Sequence, residues 1–172
     1  MLKLIGAVMV IVASGLAGMA LANAYARRPK ELRQLRSALQ MLETEIAYTA
    51  TMLPDAFSQI GLRCEQAVAR LFNRAAAELR KMSGCTAREA WEAGIDEYSA
   101  GTALTESDLS ILRNLGNSLG VSDQTDQVKH LHLAMEQLKA TAEKAEEEAG
   151  RNVKLWNYLG FLGGLMVVLI LY

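Results

Sequence analysis

The sequence predicts an all-α protein, an antiparallel helical bundle of about six helices flanked by an N-terminal and a C-terminal transmembrane helix. Three observations carry this reading. Aromatic residues make up 6% of the chain and proline occurs twice, while Ala, Leu, Glu, Arg and Gln are abundant, the composition of helices rather than sheets. Leu4 to Ala26 and Leu155 to Tyr172 contain no charged residue, and their lengths bracket the roughly 20 apolar residues that cross a roughly 30 Å hydrocarbon layer. Between them, apolar residues recur at spacings of three and four, with none of the alternation that marks strands.

Three segments follow: a first membrane helix over 1–26, a soluble helical domain over 27–154 and a second membrane helix over 155–172. Of 18 basic residues, Lys3 alone precedes the uncharged run that starts at Leu4 and none follows Leu155. Arg27, Arg28, Lys30, Arg33 and Arg36 crowd behind the first helix, which keeps the middle of the chain in the cytoplasm and puts both termini on the other side. Arg27, Arg28, Arg151 and Lys154 are expected at the lipid interface with Trp156, the long basic side chains snorkelling toward water. The rival reading of the N-terminus is a cleaved signal peptide with Ala20-Leu21-Ala22 as the cut, which the basic stretch immediately behind it opposes. The basic excess lies at the membrane-proximal ends, so it reads as anchoring to lipid and not as a nucleic-acid surface.

Pro29 lacks an N–H and suits the first turn of a helix, so a new helix is expected there, with Leu32, Leu35, Leu39, Leu42 and Ile46 on one face and a charged, wet face opposite. Pro54 forces a break near Met52-Leu53, and a short helix follows to Ile60-Gly61. A third helix reads from about Leu62 to Met82, with Cys64, Val68, Leu71, Phe72, Ala75, Leu79 and Met82 inward, ending at Ser83-Gly84. Thr86-Ala-Arg-Glu89 has capping-box spacing and opens a helix that buries Trp91 and Ile95 and closes at Gly101. Thr105-Glu-Ser-Asp108 opens the next, with Leu112, Leu115 and Leu119 inward and Gly120 as a left-handed terminus. Ser122-Asp123 caps the last, where Val128, Leu131, Met135, Leu138, Ala142, Ala145 and Ala149 keep a three-four repeat. No proline lies between Asp123 and Tyr172, so this helix can run into the second anchor, hinging at most at Gly150.

Chemistry is sparse. His130 and His132, the only histidines, point about 200° apart on a helix and cannot chelate one ion together. Cys64 and Cys85 face a reducing compartment and read as free thiols, with neither a disulfide nor a metal assigned. No phosphate loop, nucleophile elbow or zinc-protease signature occurs, and no cofactor is expected. Glu146-Glu147-Glu148 reads as a solvated helix face. A lipid-modifying enzyme needs ionisable groups inside its membrane helices, and these hold none. Small residues at Ser14, Gly18 and Ala22, and at Gly160 and Gly164, have the spacing by which membrane helices approach closely, so the two anchors are candidates to pack on each other.

The opening Met1-Leu-Lys-Leu-Ile-Gly6, the pieces Arg33-Gln-Leu-Arg36 and Leu42-Glu-Thr-Glu-Ile46, the run Leu115-Gly-Asn-Ser-Leu-Gly-Val-Ser-Asp123, and Lys154 with Leu159-Gly160 and Gly163-Gly164 resemble the stage III sporulation protein AB family of endospore formers. The resemblance covers nearly the whole length. It implies a component of the channel joining mother cell and forespore, in the outer forespore membrane with the soluble domain on the mother-cell side. The soluble part is similar to the cytoplasmic domain of the platform protein of type II secretion and type IV pilus systems. Those proteins carry two such domains and usually three membrane helices, where this chain has one domain and two. The implied partners are the secretion-type ATPase of the same complex, stage III sporulation protein AA, and the other stage III channel subunits, with a homo-oligomer left open. Contact candidates are the turn Leu119, Gly120, Val121, Ser122 and Asp123, for which plain helix termination is the alternative, and Glu43 and Glu45 on the first soluble helix. The competing class is a membrane-anchored sensor that dimerises through the heptads of residues 128–149.

Overall fold

A computed structural model of the chain describes the backbone of residues 2–49, 51–81, 84–121 and 123–171, and within it the side chains of 16, 23 and 25–151 apart from 50, 82, 83 and 122. Among the described residues there are six α-helices and no strand: α1 (Leu2–Thr44), α2 (Leu53–Arg63), α3 (Gln66–Arg80), α4 (Ala87–Ser99), α5 (Glu106–Gly116) and α6 (Gln124–Leu171). A π-helical turn, Glu45–Thr49, finishes α1. The chain divides into two compact units, one formed by the residues up to Pro29 together with those from Glu143 onward, the other by Lys30–Ala142.

Among the described residues no helix is long and apolar enough to cross a membrane. The helices expected to do so, 1–26 and 155–172, fall mainly on side chains outside the described residues, as do the small-residue positions Ser14, Gly18, Ala22, Gly160 and Gly164 and the interface positions Lys154 and Trp156.

Within the unit of Lys30–Ala142 the apolar stripes become the core. Leu32, Leu35, Leu39 and Leu42 of α1 are fully buried and Ile46 nearly so. His132 of α6 meets Glu43 of α1, and Gln124 meets the carbonyl of Ile46, so the start of α6 lies antiparallel along the end of α1. The centre is aromatic. Phe57 of α2, Phe72 of α3 and Trp91 of α4 sit with ring centroids 5.5 to 5.8 Å apart, and the Trp91 indole donates to the Leu112 carbonyl of α5 at 2.7 Å. Four helices therefore meet at one indole, in the tilted and edge-on geometries that aromatic quadrupoles favour. Each such ring contributes about 1.5–3 kcal/mol by leaving water. Two glycines let the helices come this close. A Cβ on Gly94 would lie 2.6 Å from the Leu71 carbonyl oxygen, and one on Gly116 would lie 2.7 Å from Trp91 Cδ1.

Both Thr caps form as the spacing predicts. Thr86 accepts from the Glu89 amide while Glu89 accepts from the Thr86 amide, and Thr105 and Asp108 do the same at the start of α5. Gly84 and Gly120 carry the left-handed φ values of 79° and 74°. Leu53 and Pro54 open α2 behind an extended Met52.

Four expectations are corrected. Pro29 does not begin a helix: α1 continues through it, forgoing the bond that a proline cannot donate to the carbonyl four residues back. The helix expected from Leu62 begins at Gln66, because Cys64 is extended and ends α2. Cys64 therefore lies in a connection rather than on the α3 stripe, and Leu62 is 85% exposed. Gly101 closes α4 without left-handed geometry, since the cap is Ala100 in the right-handed helical region. Glu45 lies not on a wet face but in the π turn, 9% exposed. The stripe Leu131, Met135, Leu138, Ala142, Ala145 and Ala149 is buried within the single chain, none of it more than 7% exposed, the core position read first from its repeat rather than the competing dimer seam.

Candidate functional site

The two segments nominated separately from sequence come together at one end of the Lys30–Ala142 unit. Gln124, the first residue of α6, donates its carboxamide to the carbonyls of Ile46 at 2.6 Å and Ala47 at 3.0 Å. The α5–α6 turn thereby sits against the end of α1. A recess of about 230 Å³ opens between them, lined by Ile46, Thr51, Leu53, Gln124 and Gln127. On the other side of the turn a second recess of about 250 Å³ is lined by Asn114, Asn117, Ser118, Val121 and His130.

The nominated residues divide by role. Leu119 is fully buried and anchors the turn from inside. Gly120 fits where a Cβ would come 2.8 Å from that of Ala87, and its positive φ suits glycine. Asp123 caps α6, its carboxylate accepting from the Asp126 amide at 2.8 Å and its carbonyl from the Gln127 amide at 3.0 Å. Ser122 lies outside the described residues. Glu43 is half-buried and takes the His132 Nε2 at 2.9 Å. The Glu45 carboxylate accepts from the hydroxyls of Thr49 at 2.9 Å and Thr51 at 3.1 Å, with Arg63 3.9 Å away. Helix termination thus accounts for Leu119, Gly120 and Asp123, and internal pairing for Glu43 and Glu45.

What this end turns outward was not singled out from sequence. Tyr48 is 85% exposed, Met52 77% and Val121 80%. Asp123 and Asp126 are also exposed. From Ser37 to Leu62 and from Asn114 to Val128 the chain has no Lys or Arg, while Glu43, Glu45, Asp55, Asp123 and Asp126 are acidic. Arg80 bonds Asp55 at 2.9 Å, Arg63 faces Glu45 and His132 contacts Glu43, while Asp123 and Asp126 are exposed at the rim, with Lys129 one turn further along α6. The missed signal was this pairing of a base-free stretch with large apolar residues that fall off the core stripe.

In the other unit Arg28 pairs with Glu148 at 3.3 Å, and Arg27 and Arg151 are exposed. Another residue not foreseen is Glu31, a buried carboxylate just behind Pro29. It accepts from the Tyr98 and Thr102 hydroxyls and the Ala103 amide, tying α1 to the α4–α5 connection. Among the described residues no group of three or more His, Cys, Asp and Glu can hold a metal ion. Burial pushes the Cys64 thiol up, and burial followed by the carboxylates of Glu89 and Glu78 does the same at Cys85, so both stay protonated and poorly nucleophilic.

Comparison with known proteins gives the arrangement its relatives. A family model described as stage III sporulation protein AB matches residues 3–172. The stage III sporulation protein AB of Bacillus subtilis (strain 168) is 40% identical over 171 residues, 99% of each chain. A solved structure of a stage III sporulation protein AB superposes with a TM-score of 0.68 at 37% identity, covering 72% of this chain and 97% of that one. The agreement over full length in sequence and over most of the chain in fold leaves one conclusion, that this chain belongs to the stage III sporulation protein AB family.

Proposed function

We propose that the chain is a non-enzymatic platform subunit of the stage III sporulation channel, held in the membrane by its two terminal helices. The soluble unit then lies on the mother-cell side and docks the secretion-type ATPase and other channel subunits. The observation that carries the reading is the end of the bundle around the α5–α6 turn. There a recess between helices, exposed Tyr48, Met52 and Val121, and carboxylates without a neighbouring Lys or Arg in either segment combine in one place. Apolar anchors inside a charged rim are how transient protein partners are held and oriented. The family's place in sporulation and the uncharged character of both terminal segments support the membrane setting.

The contact residues of this proposal are Tyr48, Met52, Val121, Asp123 and Asp126, with Glu43 and Glu45 supporting them from within. A photo-crosslinker at Val121 should capture the ATPase in sporulating cells. Lys at both Asp123 and Asp126 should reduce the yield at least tenfold, while a crosslinker on the exposed Arg74 of α3 captures none. Equal capture from both positions refutes the docking end. A reporter fused beside Trp91 that reads as extracytoplasmic refutes the orientation.

A further inference from the structure

The connection between α4 and α5 is tied to α1 close behind the first uncharged segment. Glu31, 6% exposed, accepts the Ala103 amide at 2.9 Å and the Thr102 hydroxyl, and α1 runs unbroken through Pro29 just before it. As a helix the uncharged run Leu4 to Ala26 measures about 35 Å against a hydrocarbon layer of about 30 Å, so in the membrane setting proposed above Ala26 stands at the edge of that layer. Five more helical residues carry Glu31 no further than about 7.5 Å beyond Ala26, and the headgroup layer is itself about 5–7.5 Å deep. Chain length alone thus keeps the connection within reach of lipid headgroups. Its composition suits that place: Ser99 to Thr105 holds no charged residue, and Ala100 and Gly101 are exposed. One base stands over it. Arg70 Nη2 lies 3.4 Å from where a Cβ on Gly101 would be, and Arg70 is exposed. Arg74 and Arg80 further along α3 are paired with Glu78 and Asp55, and the carboxylates of Glu65 and Glu106 are taken by Lys30 and Arg113. No ion pair among the described residues takes Arg70.

We propose that Arg70 and the connection 100–104 form a lipid contact, in which the guanidinium takes the phosphate of an anionic headgroup and Ala100 and Gly101 lie against the bilayer surface. The contact rests on the membrane setting proposed above and gives the helical unit a second tether, off the axis of α1. A guanidinium meets a phosphate through a two-bond fork, and its weak hydration suits a half-wet interface. The uncharged stretch beside it brings no carboxylate to repel a headgroup or to compete for the base. A lone exposed base also suits an acidic protein segment, but the length of α1 brings a bilayer to this connection and nothing brings such a segment, so lipid is the occupant assigned.

The test uses the full chain in vesicles that carry a nitroxide-headgroup lipid, with Cys64 and Cys85 replaced by Ser and a bimane label at Ala100→Cys or, as the control far along α1, at Tyr48→Cys. The Ala100→Cys label should be quenched and the Tyr48→Cys label should not. In vesicles containing phosphatidylglycerol, Arg70→Gln should lower the ratio of quenched to unquenched Ala100→Cys label about fivefold, the weight of one basic side chain at an anionic surface. Arg70→Lys should retain most of the quenching, and both variants should keep the wild-type circular dichroism melt. In phosphatidylcholine alone, Arg70→Gln should change little. A chain that floats with the vesicles but leaves the Ala100→Cys label unquenched overturns the contact alone, whereas a chain that does not float overturns the membrane setting with it. Equal quenching with Arg70→Gln in phosphatidylglycerol removes the guanidinium from the contact and refutes the proposal. Loss of quenching in inorganic phosphate, but not in sodium chloride of the same ionic strength, makes free phosphate the ligand and refutes the lipid assignment.

Discussion

Replacing Gly94 by Ala tests whether the α3–α4 spacing is set by backbone contact. In an open helix position the change stabilises by about 1 kcal/mol, since alanine is the better helix former. At Gly94 the added methyl would stand 2.6 Å from the Leu71 carbonyl oxygen and 3.4 Å from the Ala75 methyl. Carbon and carbonyl oxygen settle at about 3.3–3.6 Å in the closest favourable contacts, so the helices must part by roughly 0.7 Å or more. The obstacle is main chain, which cannot turn aside as a side-chain tip would. Over-packing of this kind costs about 1–3 kcal/mol, and with the obstacle immovable the upper end applies. Subtracting the propensity gain leaves about 2 kcal/mol of net destabilisation, worth a drop of about 5–10 °C in Tm for a helical unit of this size. Thermal melts followed by circular dichroism at 222 nm measure it. Gly150→Ala is the control, because nothing lies within 4 Å of a Cβ there, and its midpoint should hold or rise. If Gly94→Ala melts no lower than wild type, the close approach does not set the packing and the reasoning fails.

Trp91→Phe keeps an aromatic ring between Phe57 and Phe72 but removes the donor to the Leu112 carbonyl, and should cost about 1–3 kcal/mol in chemical denaturation; an unchanged midpoint would mean that solvent already satisfies that carbonyl. Glu89 is held below the ordinary carboxylate range, chiefly by the Thr86 amide and then by its hydroxyl. Its contribution to stability is therefore complete above the unfolded carboxylate pKa of about 4.3 and is lost as pH falls through the lower folded value. Glu89→Gln should melt lower than wild type at pH 7, with the difference shrinking toward pH 3, and a gap independent of pH would remove the carboxylate from the cap.

Much of the fold was legible because the sequence writes its helix punctuation in side-chain chemistry. Thr86 with Glu89 and Thr105 with Asp108 satisfy amide donors that no other local residue can reach, and Gly84 and Gly120 take a φ other residues avoid. The apolar stripes were readable for the same reason that they are buried. What escaped depends on contacts between distant residues. Pro29 is a good first-turn residue and also a tolerable interior one, and nothing in its neighbours distinguishes the two. The π turn is followed by a contact from far along the chain, Gln124 donating to the carbonyls of Ile46 and Ala47, and no local pattern announces that. The site was half legible. The turn Leu119 to Asp123 and the end of α1 were nominated separately and lie side by side, yet Leu119 and Glu45 are buried and Glu43 is half-buried, because a charged residue on a helix was assigned to water before its partners His132, Thr49 and Thr51 were known.

The position of Trp91 turns the bundle into its own optical gauge. The chain has two tryptophans, so replacing Trp156 leaves a single indole, sealed from water and wedged between two phenylalanine rings. Emission from that lone fluorophore in a purified sample reports on α2, α3, α4 and α5 at once, and a red shift marks the moment their shared centre admits solvent.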